Sequence, residues 1–227
     1  ALNSGTAHIA SSESLNGSIA LAMAADMTFS GNNLEDSVSY TYYDMPPVNE
    51  MPHSVPLTAP TTSTDHIVLV DGNVYILVAG EWYVESEAQA SNQKFLVPEP
   101  ATFFGEITPS ADLFVAGHDD SDGEVLTHLE ARNPSAIQND LITGMAGGRI
   151  SAFNIWIDGN NVVQRMTWAS AGTLQTCSGP SPSSVQCSSS AMTQSFDMTF
   201  SDIGVPQRIV APSGALPGSG ADDDPAG

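Results

Sequence analysis

The side chains that most often do chemistry are scattered in this chain. Five histidines, His8, His53, His66, His118 and His128, fall in separate stretches, with no His-x-His or His-Glu-x-x-His spacing to put two imidazoles on one metal. No metal site is expected. The run Asp119-Asp120-Ser121-Asp122-Gly123-Glu124 has the oxygen density of a calcium loop. Setting Gly123 at the sixth position of an EF-hand loop, however, puts His118 first and Leu129 twelfth, where carboxylates are required. The run reads better as a solvated hairpin turn. A Gly-x-Ser-x-Gly elbow, a glycine-rich phosphate loop and a dinucleotide fingerprint are all missing. Carboxylate pairs carry little information in a chain with 26 acidic residues. Cys177 and Cys187, the only cysteines, bracket CSGPSPSSVQC between two strand-like runs. A disulfide tying the base of a loop is the favoured reading, with a free thiol pair as the alternative; two cysteines without a histidine are an incomplete metal set. The chain is therefore read as a non-enzyme, with no catalytic residue, cofactor or metal.

The 26 acidic residues face only 5 basic ones, for a formal net charge of -21, and Lys94 is the only lysine. Such a surface repels phosphate backbones and anionic headgroups, which excludes nucleic acid as a partner and electrostatic docking on a membrane. The acidity reads as a heavily solvated surface. No apolar run reaches the roughly 18 residues that a membrane-spanning helix needs. Ala1 to Gly17 has no basic stretch followed by an apolar one, and the start at Ala1 suggests a processed or trimmed product, so export stays open.

Few chemically active residues means that the elements, not a catalytic set, organise the molecule. With 227 residues, 41% of them apolar, the chain can bury one substantial core, and one domain is expected. Phe153 to Trp168, FNIWIDGNNVVQRMTW, reads as a central hairpin. With Gly159 and Asn160 as the turn, Ile157 faces Val162, Ile155 faces Gln164 and Phe153 faces Met166. Phe153, Ile155, Ile157, Val162, Met166 and Trp168 then share a core face, and Val163 and Trp156 fall on the other with Asn154, Arg165 and Thr167. Upstream, Gly5 to Ser14, Ser18 to Phe29 and Asp36 to Tyr43 alternate as a three-stranded meander, with Ile19, Leu21, Met23, Ala25, Met27 and Phe29 on one face. Met45 to Ser63, with five prolines, is expected as a surface loop. His66 to Val70 and Asn73 to Val78 form a hairpin around Asp71-Gly72 that is apolar on both faces, and Gly80-Glu81-Trp82-Tyr83 extends it.

Glu85 to Pro98 fits a helix or a loop. Two short helices are expected, Pro100 to Ile107 and Pro134 to Ala146, the second started by Asn133-Pro134 and ended by Gly147-Gly148. Asp112 to Gly117 and Glu124 to Arg132 read as strands beside the acidic turn, Met192 to Ser201 as an alternating strand, and Val205 to Ala211 as a last edge strand. Residues 213–227, rich in Gly, Pro, Ser and Asp, are expected to be a disordered acidic tail.

The order of these segments resembles the LppX/LprG group of actinobacterial lipoproteins, relatives of the LolA lipoprotein carriers. The resemblance rests on His66-Ile-Val-Leu-Val-Asp-Gly-Asn-Val-Tyr75 with Gly80-Glu-Trp-Tyr83, on Asp122-Gly-Glu-Val-Leu-Thr-His-Leu-Glu-Ala131, on Phe153 to Trp168 with its Trp-Ile-Asp-Gly core, and on Phe200-Ser-Asp-Ile-Gly-Val-Pro206 leading to Ile209-Val-Ala-Pro212. It implies an α+β fold over residues 1–212, in which a strongly curved antiparallel sheet of about ten strands forms an unclosed barrel with short helices covering its concave face. It also implies an apolar cavity for lipid or glycolipid acyl chains, lined here by Ile19, Leu21, Met23, Met27, Phe103, Phe104, Ile107, Leu141, Met145, Phe153, Ile155 and Phe196. The expected function is an exported carrier of the cell envelope or periplasm, monomeric and anchored through a lipidated cysteine outside this sequence. An envelope transporter or other membrane protein is a further expected partner. This sequence has no lipobox cysteine, and the proline-rich loop looks like an insertion. The alternative is an envelope sensor or scaffold of the same fold, with a packed interior and a protein partner.

Overall fold

The computed structural model describes residues 3–43, 60–86, 111–121, 123–137, 146–178 and 186–218. Twelve strands follow in chain order: β1 Ser4–Leu15, β2 Ser18–Ser30, β3 Asn33–Tyr42, β4 Thr61–Val70, β5 Asn73–Val78, β6 Glu81–Ser86, β7 Leu113–Ser121, β8 Glu124–Ala131, β9 Ala146–Ile157, β10 Val163–Ser178, β11 Gln186–Ser201 and β12 Leu216–Pro217. They build one open sheet in the order β12-β6-β5-β4-β3-β2-β1-β11-β10-β9-β8-β7. Every pairing is antiparallel except the parallel contact of β12 with β6. Tight turns explain why sequence neighbours pair so often. Asn16-Gly17 and Asp71-Gly72 hold φ of 50° and 85°, and of 51° and 75°, the paired left-handed conformation whose twist matches a two-residue hairpin.

Alternation then sorts the sheet into two faces. The inner face carries one continuous apolar cluster that includes Ile9, Met27, Phe29, Leu34, Val38, Ile67, Phe153, Ile155, Met166, Trp168, Met198 and Phe200. The outer face is polar over β1, β3 and β11, where His8, Ser12, Ser39, Thr41, Ser195 and Asp197 project. Near its start β1 is held close to the end of β11. A Cβ added to Gly5 would lie 2.8 Å from Ile203 Cδ1 and 3.0 Å from the Ser201 carbonyl oxygen, so only glycine fits.

Several sequence expectations change here. The central hairpin pairs Ile155 with Met166 and Phe153 with Trp168, two residues away from the expected register, and its Val163 rather than Val162 packs on the core. The cause is the turn. Asp158 exchanges a longer loop with Val162, its N–H donating to the Val162 carbonyl at 2.9 Å, while its carboxylate accepts from the N–H groups of Asn160 and Val162, each at 2.8 Å. Asn161 takes φ of 61°, and a bulge at Gln164 restores the faces beyond it. A second irregularity separates Glu13 and Ser14, leaving Ala20 without a partner in β1.

The acidic run is not a turn as far as Ser121: His118 to Ser121 continue β7 and pair with Thr127 to Glu124, and Asp120 accepts from the Gly123 N–H at 3.1 Å. Strand β4 begins at Thr61, inside the stretch expected as loop, because Thr62 and Thr64 hydrogen-bond the side chains of Thr41 and Ser39 across the ladder. Of the helix expected over Pro134 to Ala146, the start is a 3-10 turn, Pro134–Ala136, after which Ile137 is extended; residues 138–145 lie outside the described residues, and Gly147-Gly148 belong to β9. Asn133 makes no side-chain cap there and instead accepts from the Ser135 hydroxyl. Helices covering the inner face are otherwise not found among the described residues, and Pro100 to Ile107 lies outside them.

No strand forms over Val205 to Ala211. The chain instead passes the outer face of β4 and β5, where Ile209 packs with Val68, Val70, Tyr75 and Trp82. It then reaches the far edge, setting Leu216 beside Tyr83 and Pro217 beside Val84, with the Gly218 N–H donating to the Val84 carbonyl at 2.8 Å. This corrects the disordered tail for residues 213–218, since backbone pairing with an exposed strand edge orders a segment that has little to bury.

Candidate functional site

The inner face of β2, β3 and β4 is the first place where the fold gathers candidate residues. Met27 of β2 and Ile67 of β4 stand opposite Asp36 of β3, and Leu34 and Val38 flank Asp36 on its own strand. All five are buried. Asp36 is 2% exposed, and neither of its carboxyl oxygens has a hydrogen-bond partner among the described residues. Burial pushes this carboxyl up to about 7; the neighbouring Asp26 charge adds to the rise and the Ser37 amide opposes it. Four residues along, Tyr40 stacks on Tyr42 with ring centroids 6.5 Å apart. Burial first, then the Asp65 and Asp36 charges and Tyr42, push the Tyr40 hydroxyl up to about 12.

A second polar group interrupts the inner face near the far end of β1. Gln194 is buried and donates to Glu13 at 2.6 Å, and it accepts from the Ser170 hydroxyl at 3.4 Å. Here each buried polar atom has an answer. Between the two groups lie Met23, Phe196 and Trp168, the last two stacked with centroids 4.2 Å apart as a cross-strand pair.

On the outer face a cleft of about 460 Å³ crosses β1, β11, β10 and β9, lined by Ser12, Asn154, Thr167, Ser195 and Asp197 with small alanines between them. Ser12 and Ser195 share a hydrogen bond of 2.8 Å, and Asn154 links Thr167 to His128. At its rim Arg165 forks onto the Asp197 carboxylate and lies 5.0 Å from the Trp156 ring, whose other close neighbour is the His128 ring at 4.6 Å. The hydrogen bond to Asp197 raises the Arg165 guanidinium further still.

The expected lining residues separate into groups. Met27, Phe153 and Ile155 meet in the inner cluster, with Met23 and Phe196 packed partly buried against it. Leu21 is half-exposed, and Ile19 is 51% exposed because the unpaired Ala20 moves β2 out of phase at that end. Phe103, Phe104, Ile107, Leu141 and Met145 lie outside the described residues. Cys177 and Cys187 are direct cross-strand partners near the end of β10 and β11. Antiparallel partners stand about 4.5 to 5.5 Å apart between Cα atoms, within the span a disulfide bridges. Asp36 was not anticipated as a site residue, although extending the Val38, Tyr40, Tyr42 face two residues backwards would have placed it on the core side. Among the described residues no group of three or more His, Cys, Asp or Glu side chains is arranged to hold a metal ion.

No family model and no curated protein matches the sequence. Among solved structures the chain is similar to LprF from Mycobacterium bovis, with 16% identity over 92% of this chain and 90% of that chain and a TM-score of 0.46. It is similar to the lipoprotein LppX from Mycobacterium tuberculosis, with 13% identity over 91% and 90% and a TM-score of 0.41. A LolA superfamily protein from Nitrosomonas europaea gives 11% identity over 88% and 87% and a TM-score of 0.29.

Proposed function

We propose that this chain is a non-enzymatic carrier of the cell envelope that holds an acylated lipid or glycolipid against the inner face of its sheet. The observation that carries the reading is the inner apolar cluster, in which Met27, Met166, Met192 and Met198, with Met23 beside them, alternate with Phe29, Phe153, Phe196 and Phe200. An open antiparallel sheet needs a second layer over such a face. Outside the strands, the described residues add only Ala111 and Ile137 to that cluster, with Ile203 packed partly buried against it. Methionine suits a layer that is exchanged, because its unbranched side chain repacks around flexible acyl chains. The net charge of -21 and the motif resemblance support an exported protein that meets neutral lipid rather than an anionic membrane surface.

Native mass spectrometry of protein purified from a lipid-containing host tests this. One or more retained lipids are expected, released by organic solvent. A bare polypeptide mass, together with no binding of a fluorescent acyl probe, overturns it. The scaffold reading has its own support in the outer cleft with its Arg165, Trp156 and His128 stack, and that same bare mass would favour it.

A further inference from the structure

The inner face holds one buried acid whose oxygens have no hydrogen-bond partner among the described residues. Asp36 lies at the middle of β3 between Met27 and Ile67, with Leu34 and Val38 along its own strand, and both its oxygens are buried and unpaired among the described residues. The Ser37 amide opposes the cost of burial only in part, without a hydrogen bond of good geometry, and the groups on the face of Asp36 add none. Asp65, opposite Val38 on β4, and Tyr40 on β3 share its face, and Asp26 of β2 lies nearby across the sheet. Among the described residues the ion pairs join Asp26 to His8, Asp112 to Arg132 and Asp197 to Arg165, and none reaches Asp36. A buried polar group without a partner is costly, and its presence asks what completes it.

The chemistry of the surroundings narrows the answer. A neutral carboxyl offers one O–H donor, and among the described residues neither the apolar side chains around it nor Asp65 and Tyr40 on its face accept from it. A phosphate or carboxylate would meet Asp36, Asp65 and Asp26 with no cation on that face among the described residues to hold it. An ammonium group could pair with an ionised Asp36, but its remaining N–H donors would be left unsatisfied among Met27, Ile67, Leu34 and Val38. An ester carbonyl needs only the single donor present, and its hydrocarbon chains match the rest of the face. We propose that Asp36, as a neutral acid, is the polar anchor of the lipid site and donates its O–H to the ester carbonyl of an uncharged acyl ester. This rests on the carrier reading and adds to it a ligand class and a control. Ionisation removes the donor and sets a negative charge against the carbonyl oxygen, so ester binding takes up a proton and weakens as pH rises. Burial places that transition near neutral pH.

The test uses the full chain and two lipids, a dioleoylglycerol and its dialkyl ether analogue, each measured by displacement of a fluorescent acyl probe. The parent is expected to bind the diester about ten-fold or more tightly at about pH 5.5 than at about pH 8.5, and to prefer it over the diether at the lower pH. Asp36→Asn keeps a donor without a charge and is expected to bind the diester equally at both pH values. Asp36→Leu is expected to bind diester and diether alike. A parent that binds both lipids without distinguishing them overturns the anchor and leaves the carrier; a parent that binds neither lipid nor probe overturns both. Should a variant fail to fold, carbon NMR of the Asp36 carboxyl in the parent decides: an upward move of its titration on adding diester is expected, and an unmoved titration overturns the proposal.

Discussion

Asp36 ties the stability of the molecule to pH independently of any ligand. Its carboxyl moves from an ordinary 3.8 to about 7 on folding, chiefly through burial. Between those values the folded chain holds a proton that the unfolded chain has released. Its contribution is therefore fully present below about pH 4, is lost as pH rises, and is gone above about 7. At about 1.4 kcal/mol per unit this amounts to a few kcal/mol. Asp36→Asn should flatten that slope, so melting temperatures of parent and variant are expected to diverge steadily from pH 4 to 7, the variant being the more stable at the top. Parallel curves would show that Asp36 is ionised or solvated in the folded protein. The same residue explains what sequence reading missed. The core face of β3 can be followed from Val38 to Tyr42 by alternation, but the next residue on it is an aspartate, and composition argues that an aspartate belongs outside. Only the strands on both sides, with Met27 and Ile67 closing over it, decide the matter.

Strands and their order were readable wherever alternation was unbroken. The β1 to β3 meander, the β4 and β5 hairpin and the inward Met192, Gln194, Met198 and Phe200 of β11 follow directly from period-two patterning. Register failed where one residue was added. At the Asp158 turn, hydrogen bonds from Val162, Asn160 and Gln164 to a single carboxylate favour a longer loop, and these bonds, the Val162 amide foremost, hold its acid below the usual range. At Ala20, one unpaired residue turns Ile19 to solvent. Neither bulge has a signature in local propensity, because both arise from how a twisted strand fits its neighbour. The helical start expected at Pro134 gave way for a different reason: proline at the first position starts a turn equally well whether or not a helix follows, and Ile137 is already extended. The pairing of β10 with β11, in contrast, brings Cys177 and Cys187 face to face at its end. A bond between them is expected to contribute about 2 to 3 kcal/mol by restricting the unfolded chain. Native protein should then resist thiol labelling until reduced, and reduction should lower the melting temperature. Rapid labelling without reductant would count against the bond.

An open sheet must do something about its two edges, and here the two ends of one chain segment deal with one of them. After β11 the chain crosses the outer face, buries Ile209 against Val68 and Val70, and lays β12 along the free edge of β6. Without β12 the N–H and C=O groups of Glu81 to Ser86 would face water as an unpaired strand with Trp82 and Tyr83 on it, a template for another copy. Two features oppose such pairing: Glu81 and Glu85 lie on this strand, and the net charge of -21 repels a second molecule. Repulsion of this kind is screened within about 10 Å at 0.1 M salt and within about 3 Å at 1 M, whereas backbone pairing is not. A chain ending at Pro212 keeps the Ile209 contact and, among the described residues, loses β12 with the short segment around it, so it should fold with nearly the stability of the parent and remain monomeric in dilute buffer. At about 1 M sodium chloride the truncated protein is expected to self-associate with rising concentration while the parent does not, as read by sedimentation velocity. Equal sedimentation of the two at high salt would mean that β6 is protected by its own charges and twist, and that β12 is merely a resting place for the chain end.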